Sequence, residues 1–549
     1  MTGLQKNRNL RTVCSEVFVL LSSAFVLALA FPGFISKNGI GFLAFFALIP
    51  VFAVIHTTTW KLTPLYGFLF GFFFYIFFNY WLKTFHPLAI LIAPIIKGGE
   101  MVILFTCLKA ADRWFKRLGY LVQAIIWVAY TYLSQDWFAG YPYGTIGYAL
   151  WQYLPLIQIS SITGIWGINF MMILPQTFLG LVLADTNLSL KAKIKEQRII
   201  CVLYVVLAIV WITFGFVSMN YWKTKKPDVQ WRVATVQHNA NSWLGGYMTY
   251  KRNFNNLRKM SLEALEQKPQ MIIWSETAFV PSVAWHERYP SDPDTSALVD
   301  EFTTFGKSLP VPLLTGNPEG VLDDSSKPAI GEDGSWNRKD YNTVILFENG
   351  KIKQTYRKQH LVPFTEHFPY KKQFPWLYNL LLANDYNWWE TGTEPVVFET
   401  DEGIKFSTPI CFEDVFGELN ARFVRNGADV IVNMTNDNWS QSVAAEMQHL
   451  AMAVFRSVEN RRSSIRGTNS GMTCVIEPTG HVLDPMEPFK LGWKIYDVPV
   501  YQEATNGKTF YTMHDDWLAI ISLYLSYGLL FVGAVTQIVT LVKKRKAKN

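Results

Sequence analysis

Ile199-Ile200-Cys201-Val202-Leu203-Tyr204-Val205-Val206-Leu207-Ala208-Ile209-Val210-Trp211-Ile212-Thr213-Phe214-Gly215-Phe216-Val217 is an uncharged apolar run, and beyond it the chain changes character. The run has about the length, roughly 20 residues, that crosses the hydrocarbon core of a bilayer as a helix. Similar stretches fill the sequence before it. After about residue 228 they give way to short β-rich runs between polar segments. The unevenness points to a polytopic α-helical membrane domain joined to an α/β domain.

Working back from that run, spans are expected near Thr12–Phe31, Ile40–Ile55, Leu62–Leu82, Leu88–Leu108, Leu118–Leu133 and Leu154–Leu183, with Ile199–Val217 the seventh. An eighth follows at Trp517–Val542. The second and fifth are short, and the sixth is long enough to be broken or re-entrant. Phe31-Pro32-Gly33 follows the first span in place of a small-residue cleavage site, so that span reads as a retained anchor. The expected organisation is a membrane domain over 1–222, a catalytic domain over 228–505, and a last helix with a basic tail over 515–549.

Of the 549 residues 50% are hydrophobic and 17% charged, below the roughly 25% usual in soluble domains. The net charge of +7 is concentrated in clusters. Lys6, Arg8 and Arg11 precede span one, Arg113, Lys116 and Arg117 follow span four, and Lys191, Lys193, Lys195 and Arg198 follow span six. The chain ends Lys543-Lys544-Arg545-Lys546-Ala547-Lys548. With eight spans all the clusters fall on one face, which is then cytoplasmic. The segment between spans seven and eight lies outside the cytoplasm. The charge needs no nucleic acid, and no nucleic-acid motif accompanies it.

In the soluble segment, β-like runs recur at Trp231–Val236, Met271–Trp274, Pro312–Thr315, Thr343–Phe347, Ile404–Ser407 and Val430–Met434. Tyr250–Gln267 and Ala444–Asn460 carry apolar residues at helical spacing. Asn349-Gly350 reads as a hairpin turn, and Asp323–Asp340 as a long polar surface loop.

Three residues with chemistry stand at the edges of such runs: Glu276 in Ile273-Trp274-Ser275-Glu276, Lys358 in Tyr356-Arg357-Lys358, and Cys411 in Pro409-Ile410-Cys411-Phe412-Glu413-Asp414. A free thiol is mostly protonated at neutral pH and needs a base or a nearby positive charge. Glu276 is a candidate base and Lys358 a candidate stabiliser of negative charge, which together suggest acyl transfer through a thioester. Plainer readings stand beside this one. A glutamate after a strand is commonly a loop residue, and Lys358 lies among Lys351, Lys353 and Arg357 as on a solvated basic face. Cys411 could also pair with Cys474, the other cysteine of the segment. Cys14, Cys107 and Cys201 fall in or beside apolar spans. No metal-ligand spacing is present, and nothing calls for a metal or an organic cofactor.

The segment resembles the nitrilase superfamily, with Glu, Lys and Cys in that chain order, and the whole chain resembles the apolipoprotein N-acyltransferase family. The resemblance rests on Trp274-Ser275-Glu276-Thr277-Ala278, Arg357-Lys358-Gln359-His360-Leu361-Val362-Pro363-Phe364-Thr365-Glu366-His367-Phe368-Pro369 and Cys411-Phe412-Glu413. Asn436-Asp437-Asn438-Trp439, Gln448-His449-Leu450 and Arg466-Gly467-Thr468-Asn469-Ser470-Gly471 extend it, and Gly140-Tyr141-Pro142-Tyr143 and Gly164-Ile165-Trp166-Gly167 carry it into the membrane part.

The resemblance implies an αββα sandwich on an eight-span domain in the bacterial inner membrane, with the sandwich facing the periplasm. It implies a ping-pong reaction. Cys411 takes an acyl chain from a phospholipid, typically phosphatidylethanolamine, and passes it to the α-amine of a diacylglyceryl-cysteine on an apolipoprotein. It makes Glu276 the acid–base and Lys358 the oxyanion partner. Glu366 and Glu413 become supporting acids, and Phe412 an aromatic neighbour. Trp243, Trp439 and Asn436 become substrate-binding candidates. Thr365 replaces a usual glycine, and Asn438-Trp439-Ser440-Gln441 replaces Ala-Trp-Phe-Gly at the substrate entrance.

Two alternatives remain at this point. One is a membrane-anchored nitrilase-type amidase, against which seven spans argue, since one would anchor. The other is a transporter or scaffold with a degenerate module, against which the intact Glu276, Lys358 and Cys411 argue. Lys97 and Glu100 are three residues apart in span four, either as a structural ion pair or as a headgroup contact.

Overall fold

The computed structural model describes residues 9–547 except 86, 137–139, 186–188, 291, 333 and 384–387. Lys6, Arg8 and Lys548 of the basic clusters lie outside the described residues. The chain divides into two compact units, Met1–Lys223 with Asp516–Asn549, and Thr224–Asp515.

Among the described residues of the first unit, five helical stretches are long and apolar enough to cross a membrane: Leu10–Leu29, Ala89–Gln135, Ser160–Ala184, Arg198–Thr224 and Trp517–Lys546. A 3-10 turn at Lys116–Leu118 breaks the second of these into Ala89–Phe115 and Gly119–Asp136. Shorter apolar helices cover Gly41–Thr57 and Thr63–Phe78. The stretch expected as one span at Ile40–Ile55 is a 3-10 turn, Gly41–Phe45, followed by a helix at Ile49–Thr57 that opens on Pro50. Gly41 lies so close to the Ala149 carbonyl that any Cβ would collide with it. The break expected in Leu154–Leu183 falls at Gly164, whose φ of 59° a side chain would disfavour. Lys97 and Glu100 are buried and paired, Nζ to Oε2 at 2.6 Å. Lys97 also donates to the Tyr141 carbonyl and Tyr130 to Glu100, so the pair ties one loop to two helices.

Among its described residues the second unit contains fourteen strands: β1 Val229–Gln237, β2 Met271–Ile273, β3 Leu313–Gly316, β4 Glu319–Leu322, β5 Arg338–Tyr341, β6 Thr343–Glu348, β7 Lys351–Arg357, β8 Val397–Glu399, β9 Lys405–Ser407, β10 Val430–Thr435, β11 Ser463–Thr468, β12 Cys474–Ile476, β13 Val482–Leu483 and β14 Gly492–Val500. One sheet runs β14-β1-β2-β3-β6-β7 and the other β13-β12-β11-β10-β9-β8. β1, β2 and β3 are parallel, as are β9, β10 and β11, and the outer pairings of both sheets are antiparallel. The sheets meet face to face where Trp231 packs on Phe406 and Gly467 lies against Ile273 and Trp274.

Helices cover the outer faces. Tyr247–Leu265 and Pro293–Ser308 bury Phe254, Leu257, Phe302 and Phe305 against Ala234, Ile272, Trp274 and Phe347. The second of these starts where Pro293 follows Asp292, whose carboxylate accepts the Thr295 amide at 2.9 Å. Phe302 packs against the rings of Phe254, Trp274, Phe279 and Phe347, so its truncation to alanine would cost about 3–5 kcal/mol. Asn349 and Gly350, at φ of 52° and 76°, form the expected turn between β6 and β7. The loop expected over Asp323–Asp340 is shorter than the sequence suggests, because its last residues, from Arg338, belong to β5 and pair with β4 just before the loop.

Candidate active site

Three strand ends converge. Glu276 follows β2, where the Gly316 amide donates to the Ser275 carbonyl and Thr277 turns at φ of 48°. Lys358 follows β7, held by its own amide on the Asn342 carbonyl and its carbonyl under the Gly392 amide. Cys411 follows β9. Ile410 makes a last parallel bridge to Met434, then Cys411 takes φ of 51° and opens a 3-10 turn, Cys411–Val415. That left-handed conformation at a cysteine is uncommon and turns the residue out of the strand direction. Cys411 stays partly exposed while Glu276 and Lys358 are buried.

Lys358 Nζ stands 3.5 Å from Glu276 Oε1 and 2.8 Å from Glu366 Oε1. Asn342 Nδ2 bridges the same two oxygens, at 2.8 Å and 3.2 Å. Glu276 Oε2 accepts the Asn436 amide at 2.9 Å, and the Cys411 thiol is within hydrogen-bonding reach of the same carboxyl. Glu366 Oε2 accepts the Val362 amide at 2.7 Å. Burial pushes the Cys411 thiol up, and the negative charge of Glu276 adds to it, while Lys358 opposes both. Glu276 is likewise raised, chiefly by burial, against the pull of Lys358. Burial alone would lower Lys358, but Glu366 and Glu276 outweigh it and keep the ammonium charged. A thiol kept protonated beside a buried carboxylate suits proton transfer concerted with attack.

Glu413 is fully buried. It accepts the amides of Gln359, His360 and Ile410 and both of its oxygens accept the Tyr356 hydroxyl. It therefore joins the segment carrying Lys358 to the turn carrying Cys411. Burial raises its carboxyl to about 7 despite those amides. Phe412 is buried edge-on against Phe416. Cys411 and Cys474 are both free, so the disulfide is not formed.

Asn436 accepts from Ser242 and Asn469 through its side chain. Trp243 and Trp439 are substantially exposed and pack edge to face at 5.0 Å, so two residues far apart in sequence form one aromatic rim. Behind this loop is a buried network in which His449 lies between Asp437 and Asp414, 2.9 Å from Nδ1 and 2.6 Å from Nε2. Arg466 pairs with both aspartates. Burial pulls the imidazole down, but the two carboxylates outweigh it and hold it at about 9. Asn342, Tyr356, Asp414, Asp437, His449 and Arg466 were not assigned roles from sequence. The motif runs around the last five are the signal that marks them. Among the described residues no group of three or more His, Cys, Asp or Glu is arranged to hold a metal ion.

Two family profiles match the chain, the apolipoprotein N-acyltransferase N-terminal domain over residues 23–177 and the carbon–nitrogen hydrolase over 232–503. Apolipoprotein N-acyltransferase 1 of Treponema denticola is 38% identical over 530 residues, covering 94% of this chain and 96% of that protein. Its counterpart in Treponema pallidum is 36% identical over 531 residues, covering 94% and 95%. Among solved structures, Saccharomyces cerevisiae Nit3, of the nitrilase superfamily, aligns with 50% of this chain and 92% of its own at 19% identity and a TM-score of 0.35, a likeness too weak to argue from. By the extent of its likeness to the two Treponema proteins and by both profiles, the chain belongs to the apolipoprotein N-acyltransferase family.

Proposed function

We propose that this protein transfers a fatty acyl chain from a phospholipid to the N-terminal α-amine of a diacylated apolipoprotein, through an acyl-Cys411 thioester. The observation that carries the reading is the meeting of Glu276, Lys358 and Cys411 from three separate strand ends in a member of this family. In the first half-reaction Glu276 accepts the thiol proton as Cys411 Sγ attacks an ester carbonyl. The Lys358 ammonium neutralises the oxyanion. Collapse breaks the ester C–O bond, and the proton on Glu276 goes to the leaving oxygen, which releases a lysophospholipid. In the second half-reaction the acceptor amine attacks the thioester and Glu276 takes its proton. The amide forms as sulfur leaves, and the thiol is restored by the same proton.

Around this centre, Glu413 and Glu366 are positioning residues, and Asn342 holds the Glu276 and Glu366 carboxylates in register with Lys358. Phe412 packs beneath the nucleophile turn. The Trp243–Trp439 rim and Asn436 face the substrates. Phosphatidylethanolamine is the proposed donor. The eight apolar segments are proposed as eight crossings, with the basic clusters in the cytoplasm and residues 228–505 in the periplasm, on the bacterial inner membrane. No cofactor enters the scheme.

The test is the intact mass of the purified protein with phosphatidylethanolamine and no acceptor. A fatty-acyl increment on Cys411, released by hydroxylamine, is expected. An unmodified Cys411 in folded protein would overturn the reading. Prompt release of the acyl group to water, with no transfer to an added lipopeptide amine, would favour a hydrolase.

A further inference from the structure

Glu446 lies on the Val443–Asn460 helix, fully buried, and neither of its carboxyl oxygens has a hydrogen-bond partner among the described residues. It converges with Asp437 on Gly471. A Cβ built on that glycine would stand 2.5 Å from Glu446 Oε2 and 2.8 Å from Asp437 Oδ2. The neighbouring charges are already matched. Both ring nitrogens of His449 face carboxylate oxygens, and ionised carboxylates only accept, so both nitrogens donate and the ring is cationic. His449 and Arg466 thus face Asp414 and Asp437, two against two, and among the described residues no cation is hydrogen-bonded to Glu446.

We propose that Glu446 is a positioning residue whose neutral, protonated form holds the Asn436–Gln441 turn in place, and that its ionisation sets the alkaline limit of acyl transfer. The inference rests on the acyltransferase reading above. Asp437 opens the 3-10 turn Asp437–Ser440 and follows Asn436, whose amide donates to Glu276 at 2.9 Å. A charge on Glu446 faces Asp437 across Gly471 in a buried setting, where like charges repel strongly. The relief available is movement of the turn, which withdraws the Asn436 amide from the base and shifts Trp439. The charged groups acting on Glu446 are Asp437 from the turn and Arg466 from β11, with His449 one helical turn along and Asp414 beyond it. Burial, then Asp437, hold the Glu446 carboxyl well above the usual carboxylate range, against Arg466.

The experiment uses the full chain in mixed micelles with phosphatidylethanolamine, from about pH 6 to pH 10. It reads the rate of acyl-Cys411 formation and, separately, hydrogen exchange of the 436–441 segment. Wild type is expected to lose rate toward the alkaline end of the range, falling roughly tenfold per pH unit past its midpoint. Glu446→Gln is expected to match wild type within about twofold at neutral pH, with its midpoint moved to higher pH. Glu446→Leu, also uncharged, should behave the same way, and decides the matter if the glutamine variant does not fold. Exchange protection of 436–441 should fall at alkaline pH in wild type and persist in the variants. An unmoved midpoint in the variants, or a wild type without an alkaline fall in rate, overturns the inference. If neither wild type nor either variant forms acyl-Cys411 but exchange responds as stated, the acyltransferase reading fails and the Glu446 device stands.

Discussion

The Glu413 carboxylate accepts the backbone N–H of Gln359 at 2.6 Å, fastening the residue after Lys358 to the turn that begins with Cys411. The amides of His360 and Ile410 share the same acid. Three N–H groups from two segments, one buried and two partly buried, thus depend on one side chain.

Glu413→Gln replaces an acceptor-only group with an amide that cannot serve all of them. We expect acyl-Cys411 formation to fall about 100-fold and stability to drop about 2–4 kcal/mol, since each buried donor left unmade costs about 1–3 kcal/mol. Thermal unfolding and single-turnover mass spectrometry check both. A variant with wild-type rate would show that the tether does not position the site.

Lys358→Met leaves Glu276 and Glu366 facing one site without their shared cation. Breaking a buried pair in this way costs about 3–5 kcal/mol, and no acyl-enzyme should form. Adding Glu366→Gln to that variant should recover part of the stability and none of the activity. If stability is not recovered, the carboxylates are not the source of the loss.

His449 is held at about 9, above the ordinary imidazole value of about 6.5. A raised folded value means that the bound proton stabilises the folded state. That contribution is complete below about 6.5 and disappears as pH rises through about 9. The shift is worth about 3 kcal/mol. Stability of wild type against unfolding should fall between about pH 6.5 and 9.5, and His449→Gln should show a flatter profile. Equal slopes would sink the assignment.

Gly316 has no room for a side chain, because a Cβ there would collide with the Thr277 amide and lie 2.7 Å from the Glu276 Cα. Gly316→Ala must therefore move the backbone that carries the base. The expected loss is about 1–3 kcal/mol in stability, with acyl-Cys411 formation down at least about tenfold. A stability loss without a rate loss would separate packing from positioning.

The strand and helix periodicities of the soluble segment were legible, as was the Asn349-Gly350 turn, because each depends on residues close in sequence. Lys358 was ambiguous for a physical reason. Lys351 and Lys353 in the same basic run stay at the surface, whereas Lys358, one residue beyond β7, is drawn in by Asn342 and Gly392. The partners that decide its burial come from elsewhere in the chain. Asn342 gave no sequence signal, since an asparagine between two strands reads as a turn residue. The 3-10 turn inside the second apolar stretch was not legible, because hydropathy does not register Gly41 pressed against Ala149.

The pairing of β1 with β14 runs in unbroken antiparallel register from Val229↔Val500 to Gln237↔Gly492. During synthesis, β1 leaves the ribosome long before its partner exists. At about 5–20 residues per second the wait is on the order of tens of seconds. For that interval one edge of β1 carries unpaired amides and carbonyls, a condition that invites wrong partners. The domain closes only when its last strand arrives, so truncation anywhere before Gly492 should yield an aggregating chain rather than a smaller working enzyme.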